Sequence, residues 1–240
     1  MCGICGIINF NKEKIDREKI SSMVQMIKHR GPNDDGIYQF NNFALGSTRL
    51  SILDLSTDGH MPMFSNDKRY VIVYNGEIYN HIELRNELSS FYKFKSKSDT
   101  EVILESYKYW GINFLSRLRG MFAFAIWDNL NKKLILVRDP FGIKPLYYTK
   151  KDNIFYFASE IKSILSIDNL NFKKSEKGIV SYFLWGNVQE PFTLYKDIES
   201  VEKGTAKVIF ENGLEKTHKY ASIKDEILNS EKEHFKSTND

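Results

Sequence analysis

Cysteine is almost missing from this chain: two residues in 240, three positions apart. Two such thiols cannot staple a domain of this size, so the disulfide-framed class of secreted proteins is excluded and a reducing cytoplasm is expected. Long hydrophobic runs are missing too. No stretch approaches the ~18–20 apolar residues of a membrane span. The first residues carry no basic leader, and their apolar run is broken by Cys5 and Gly6, so they do not read as a signal peptide. Nor is there an excess of one charge. Lys and Arg total 34 against 31 Asp and Glu, for a net charge of +3. The basic residues fall in scattered pairs such as Lys132-Lys133 and Lys150-Lys151, beside turn residues. No run is long enough for a nucleic-acid or membrane patch. Internal repeats and low-complexity linkers are absent as well. What is present is core-forming material: 42% hydrophobic and 14% aromatic residues, enough for one large domain or two small ones.

Periodicity predicts the elements. Residues 3–10 read as a buried strand. Residues 16–28 read as a helix, with Ile20, Met23, Val24 and Ile27 on one face and an end before Gly31-Pro32. Short apolar runs follow at 37–40, 43–47, 50–53 and 69–74, and Asn75-Gly76 is expected to end the last of them in a turn. A helix is expected over 80–88. Ser98, with Glu101 three residues on, has the form of a capping box opening a helix that ends at Gly111. Strands are expected at 121–127, 133–138, 146–149 and 154–159, and their short links favour antiparallel pairing. Residues 205–211 and 214–217 read as a hairpin closed by Asn212-Gly213 in a type I′ turn. Beyond 220 the chain is polar, with Ile223 and Ile227-Leu228 as its anchors, and reads as a frayed helix or a tail. Many strands with few helices predict an α+β fold of antiparallel sheets covered by helices.

Cys2 directly follows Met1, and Cys is small enough for the initiator Met to be clipped before it. The mature chain would then begin with a thiol and a free α-amine on one residue. Such groups ordinarily titrate near ~8.5 and ~7.7–8.0. One residue can thus hold both nucleophile and general base. Cys2 and Cys5 also form a C-x-x-C. With no third Cys, and with His29, His60, His81, His218 and His234 unpaired at zinc-finger spacing, metal binding is disfavoured. A thioredoxin-like motif would follow a strand, whereas this one precedes it. Redox chemistry therefore ranks last and Cys5 reads as core. Arg49 has the geometry to clamp a carboxylate, Asn75-Gly76 supplies the donors of an oxyanion hole, and Asp99 opens a helix. Taken singly these are a surface ion pair, a turn and a cap. Taken together they suit an amino acid with a hydrolysable side-chain amide.

In the segments that carry these residues the sequence resembles the class II (N-terminal nucleophile) glutamine amidotransferase domain of glutamine-hydrolysing asparagine synthetases. They are MCGICGI at 1–7, HRGPNDDG at 29–36, TRLSILDLS at 48–56, YNGEIYNHIELR at 74–85, SDTEVIL at 98–104, GMFAFAIWD at 120–128, VRDPFGIKPLYY at 137–148 and ASEIKSIL at 158–165. They stand in family order and spacing over roughly residues 1–220. Other class II families share the Cys-Gly-Ile opening and the Ser-Asp-Thr-Glu segment; HRGPNDDG and YNGEIYNH are the asparagine-synthetase version. Ser47, Asn33 and Met61 stand where many relatives have His, Asp and Gln. None of the three has an assigned role, so tuning is expected from them.

The resemblance implies a four-layer α-β-β-α sandwich of two antiparallel sheets. It implies Cys2 as nucleophile, with Asn75 and Gly76 at the oxyanion. It further implies Arg49 on the glutamine α-carboxylate, Glu77 and Asp99 on the α-ammonium, and Leu50, Ser51, Ile52 and Leu53 lining the pocket. Glutamine would yield glutamate and ammonia without a cofactor. ATP and magnesium would be needed only in an ATP-pyrophosphatase-type synthetase domain or subunit, whose Ser-Gly-Gly-x-Asp-Ser loop this sequence does not contain. Residues 1–220 would be the amidotransferase domain, and 221–240 a polar tail or the start of the missing domain. Expected partners are L-glutamine and that synthetase, with homodimerisation left open and neither nucleic acid nor membrane involved. A non-catalytic glutamine-binding or synthetase-docking subunit is the alternative.

Overall fold

The computed structural model describes residues 1–168, 170–228 and 230. In chain order the elements are β1 (Gly3–Asn9), α1 (Arg17–Met26), β2 (Asp34–Phe40), β3 (Phe43–Arg49), β4 (Met63–Phe64), β5 (Tyr70–Ile78), α2 (His81–Leu88) and α3 (Asp99–Trp110). There follow β6 (Gly120–Asp128), β7 (Lys133–Arg138), β8 (Tyr147–Lys151), β9 (Ile154–Ala158), α4 (Ile161–Leu165), α5 (Glu176–Trp185), β10 (Glu199–Ser200), β11 (Thr205–Phe210) and β12 (Glu215–Lys219). The strands form two six-stranded sheets, ordered β10-β8-β9-β1-β3-β2 and β12-β11-β7-β6-β5-β4, with antiparallel pairing between neighbours.

Three apolar clusters separate four layers. α1 and α4 cover the outer face of the first sheet through Ile20, Met23, Val24 and Ile164. α3 and its neighbours cover the outer face of the second through Val102, Ile103, Leu104 and Tyr107. Between the sheets lie Ile4, Ile8, Leu45, Val71, Val73, Phe157 and others. The two sheets are joined there by Phe43 of β3 stacked on Trp127 of β6, ring centroids 4.0 Å apart and 15° from parallel. Truncating either ring to Ala would cost about 3–5 kcal/mol. β1 is central and every one of its residues is buried. Its period of two sends Ile4 and Ile8 between the sheets and Cys5 and Ile7 toward α1. The fold is therefore the expected α+β four-layer sandwich.

Local expectations needed four corrections. Asn75-Gly76 is not a turn: both residues lie within β5, paired with Ala123 and Phe122 of β6. Gly76 is required there by close approach, since a Cβ would lie 2.7 Å from the Phe122 Cα. Ser98 does cap α3, accepting from the Thr100 N–H, but the reciprocal half of the capping box is not made. Glu101 instead accepts from the N–H groups of Lys95 and Ser96 and from the Tyr92 hydroxyl. The β11–β12 hairpin turns through 211–214, and of Asn212 and Gly213 only Gly213 takes positive φ (82°), so the turn is not type I′. Finally, residues 223–228 are helical, but Ile227 and Leu228 are exposed rather than packed as anchors among the described residues; residues 229 and 231–240 of the expected tail lie outside the described residues. No helix among the described residues is long and apolar enough to cross a membrane.

Candidate active site

Strand ends build the site. Cys2 precedes β1, and the pairing of Gly3 with Thr48 puts Arg49, the last residue of β3, beside it. Asn75 and Gly76 arrive on β5 of the other sheet, and Asp99 opens α3. These residues line one cavity of about 210 Å³, together with Leu50, Ile52, Leu53 and Glu77. That is below the ~300–1,000 Å³ of drug-sized ligand sites and suits a single amino acid. Ser51 is not among its lining residues; its N–H is turned to the Asn33 side chain at 3.1 Å. Larger hollows at 187–191 and 173–177 contain no Cys, His or Ser–His pair.

The Cys2 sulfur lies against the backbone of Leu50. It accepts from the Leu50 N–H at 3.4 Å and faces the Leu50 carbonyl at 3.7 Å. Burial pushes the thiol pKa up; the Leu50 N–H, the nearby N-terminal ammonium and the Arg49 guanidinium oppose that rise without cancelling it. Met1 still precedes Cys2, lines the cavity and is contacted at its sulfur by Lys144 at 3.5 Å. The Cys2 carbonyl is fixed by Arg30, whose Nε donates to it at 2.9 Å while its Nη1 holds Glu160 at 2.8 Å. Cys5 is fully buried on the opposite face of the strand, within the α1 layer, and both thiols are free. A Cys2–Cys5 disulfide does not fit that arrangement. Among the described residues no group of three or more His, Cys, Asp or Glu side chains is placed to hold a metal ion.

Arg49 is not in a surface ion pair. It is 8% exposed, and its guanidinium donates to the carbonyls of Ser56 (3.0 Å) and Asp54. Gly59 lies flat against it, where any side chain would collide. A guanidinium whose hydrogen bonds go to backbone carbonyls is in direct salt-bridge contact with no carboxylate among the described residues, although it feels the Asp54 charge nearby, and it remains able to draw a second carboxylate. Across the cavity, Asp99 accepts from the Tyr74 hydroxyl at 2.7 Å and the Ile78 N–H at 3.0 Å through one oxygen. Burial raises its pKa, against the pull of those hydrogen bonds and of His81. Glu77 is raised too, by burial and then by the Asp99 charge. Two carboxylates held this way favour a cationic guest. Between the two ends lies Asn75, 1% exposed, whose Nδ2 is a buried donor with no partner. Buried polar atoms are rarely left so, and an unpartnered donor on a residue that lines the cavity suits an oxyanion.

Several contributors carried no assignment in the sequence. Arg30 and Glu160 fall in segments quoted above, yet nothing marked Arg30 as holding residue 2, or Glu160 as holding Arg30 across 130 positions. Asp54, Tyr74, Met61 and Lys144 also line the cavity. Met61 is one of the three departures from the family pattern, and Ser47, another, donates to its carbonyl at 2.8 Å. Those departures therefore sit closer to the site than their lack of a role suggested.

Comparison with known proteins agrees. Residues 1–221 match the family model described as a glutamine amidotransferase domain. Asparagine synthetase [glutamine-hydrolyzing] 1 of Bacillus subtilis is 42% identical over 219 residues, covering 89% of this chain and 34% of that protein. Putative asparagine synthetase [glutamine-hydrolyzing] 2 of Methanocaldococcus jannaschii is 40% identical over 240 residues, covering 92% of this chain and 46% of that protein. The chain thus spans between a third and a half of these relatives. Among solved structures, glutamine phosphoribosylpyrophosphate amidotransferase from B. subtilis superposes with a TM-score of 0.68 at 20% identity, over 92% of this chain and 49% of that one, a likeness of fold. Matched from residue 1 to residue 221, the chain belongs to the class II glutamine amidotransferase domain family.

Proposed function

We propose that this chain hydrolyses L-glutamine to glutamate and ammonia, with Cys2 as nucleophile once Met1 is removed. The observation that carries the proposal is the unpartnered, buried Nδ2 of Asn75 in the cavity that also holds Cys2, Arg49 and Asp99. The free amine of Cys2 takes the thiol proton, and the sulfur attacks the side-chain carbonyl carbon. The carbonyl oxygen gains the negative charge and is held by Asn75 Nδ2 and the Gly76 N–H. The amine then returns the proton to the departing nitrogen, ammonia leaves and a glutamyl thioester remains. Water attacks the thioester, releasing glutamate and restoring the thiol. Arg49 holds the α-carboxylate, Asp99 and Glu77 the α-ammonium, and no cofactor enters the step.

The ammonia is meant for an acceptor carboxylate, aspartate by the names of the relatives, activated by an ATP-using synthetase domain or subunit. For its docking surface we propose the C-terminal half of α5, where Val180, Tyr182, Phe183, Leu184 and Trp185 are all more than half exposed. Two free thiols suit a cytoplasmic protein. The alternative, binding without turnover, applies to any chain that keeps Met1: the amine is then one residue displaced from the sulfur. Mass spectrometry of the N-terminus alongside an assay of glutamate release separates the two. Trimmed protein is expected to release glutamate, and Cys2→Ala to abolish it. Fully trimmed protein that leaves glutamine intact would refute the catalytic proposal.

A further inference from the structure

The Asp54 carboxylate is 7% exposed and hydrogen-bonds on both sides. Its Oδ1 accepts from the Ser56 N–H at 2.9 Å and the Ser56 hydroxyl at 2.6 Å, which closes the loop that cups Arg49. Its own backbone carbonyl and that of Ser56 are the two acceptors of the Arg49 guanidinium. Its Oδ2 reaches out of that loop and accepts from the Lys97 N–H at 2.7 Å. Ser98, the α3 cap, comes next, and then Asp99. Among the described residues, Asp54 is the side chain of 50–59 that bonds to the segment entering α3.

We propose that Asp54 is a positioning residue that fixes the spacing between the guanidinium end and the carboxylate end of the cavity, and so sets affinity for a guest carrying both charges of an α-amino acid. The proposal rests on the glutaminase assignment for the identity of that guest. Its chemistry demands an ionised carboxylate, because donors approach from both sides: two from Ser56, one from Lys97. An amide has one oxygen and must turn its NH2 toward one of those N–H groups, so one side of the bridge opens while size and shape are kept. The held ionised state agrees with the pKa: burial would raise it, but the Ser56 and Lys97 hydrogen bonds and the Arg49 charge bring it below the ordinary carboxylate range.

The test is Asp54→Asn, assayed with L-glutamine and with glutaramate, which lacks the α-ammonium and engages one end only. KM for glutamine is expected to rise about tenfold or more with kcat within about threefold, while kcat/KM for glutaramate changes less than about threefold. A glutamine KM within threefold of the parent, or an equal loss on both substrates, would overturn the proposal. Titration calorimetry of glutamine into Cys2→Ala with and without Asp54→Asn gives the same comparison for a chain that binds but does not turn over. A failure there is separate from failure of the glutaminase proposal, which is read on the parent chain. If Asp54→Asn does not fold, Lys97→Pro removes the same hydrogen bond from its other partner and is held to the same outcomes.

Discussion

Tyr74 donates its phenolic hydrogen to Asp99 at 2.7 Å, and the next residue on its strand is Asn75. One strand end therefore orients the carboxylate proposed to hold the ammonium and presents the donor proposed to hold the oxyanion. Tyr74 lies on the face of β5 that packs on α3, with Ile72; the pleat puts Asn75 on the other face, in line with Val71 and Val73. Tyr74→Phe removes a hydrogen bond to a buried carboxylate and leaves Asp99 with the Ile78 N–H. The expected result is a loss of about 1–3 kcal/mol by urea titration and a several-fold higher KM for glutamine, with kcat little altered.

Asp99 makes a prediction with a defined sign. Its folded pKa is raised above the unfolded value, so the folded state binds more protons between the two values. Stability conferred by that protonation is present at low pH and lost as pH rises through the folded pKa. Asp99→Asn retains an oxygen for both Tyr74 and Ile78 while removing the charge. The variant is expected to melt at or above the parent temperature near pH ~7.5, with that gain shrinking toward pH ~4. Glutamine binding should fall by about a hundredfold, because the ammonium loses its buried counter-charge. Scanning calorimetry across pH with a glutamine titration checks both. A variant that is destabilised at neutral pH would show that the hydrogen bonds to the ionised carboxylate outweigh the cost of burying it.

How far the sequence went depends on the range of each interaction. Period-two and helix-spaced patterns are local, so β1, α1, α3 and the β6–β7 hairpin were legible within a few residues. Asn75-Gly76 misled because the same dipeptide serves a turn by glycine's positive φ and a strand by its missing Cβ; which one applies depends on β6, over forty residues away. Glu101 misled because a loop just upstream, 92–96, outcompeted the cap for its oxygens. Of the residues proposed to touch the substrate, Cys2, Arg49, Asn75, Gly76 and Asp99 stood out by their own chemistry, whereas Glu77 and residues 50–53 came through family resemblance alone. Those that hold them, Arg30, Glu160 and Asp54, act through contacts distant in sequence or through both carboxylate oxygens at once, and left no local mark.

Glu105 is a cost borne away from the site. It is 4% exposed on α3, and burial, with the nearby Asp67 and Glu101 charges adding to it against Lys108, raises its pKa to about 7. Lys108 itself pairs with Asp67 at 2.9 Å. By the same sign rule, stability falls as pH climbs from the ordinary carboxylate value toward about 7. Glu105→Gln removes that dependence. It is expected to stabilise by roughly 1–2 kcal/mol at pH ~8 and by nothing at pH ~4, with glutaminase kinetics unchanged. Paired denaturant curves at the two pH values measure the difference directly, and equal shifts at both would exclude a titration origin.

Asn75 separates catalysis from stability most sharply, because its Nδ2 is bonded to nothing in the free protein. An ordinary buried amide loses stability when truncated, since its hydrogen bonds go with it. Here no such bond to Nδ2 exists to lose, and burial of an unmatched donor is itself unfavourable by about 1–3 kcal/mol. Asn75→Ala should therefore leave the melting temperature unchanged or raise it, after allowance for the small cavity created. Its catalytic cost should be large: removing one oxyanion donor typically lowers kcat by about 10²–10³-fold. KM should barely move, because the ground-state carbonyl asks less of that donor than the tetrahedral oxyanion does. Steady-state kinetics and thermal unfolding on one preparation decide the matter. A variant that loses stability and KM in step would mean that Asn75 holds the strand end together, and the oxyanion would need another donor.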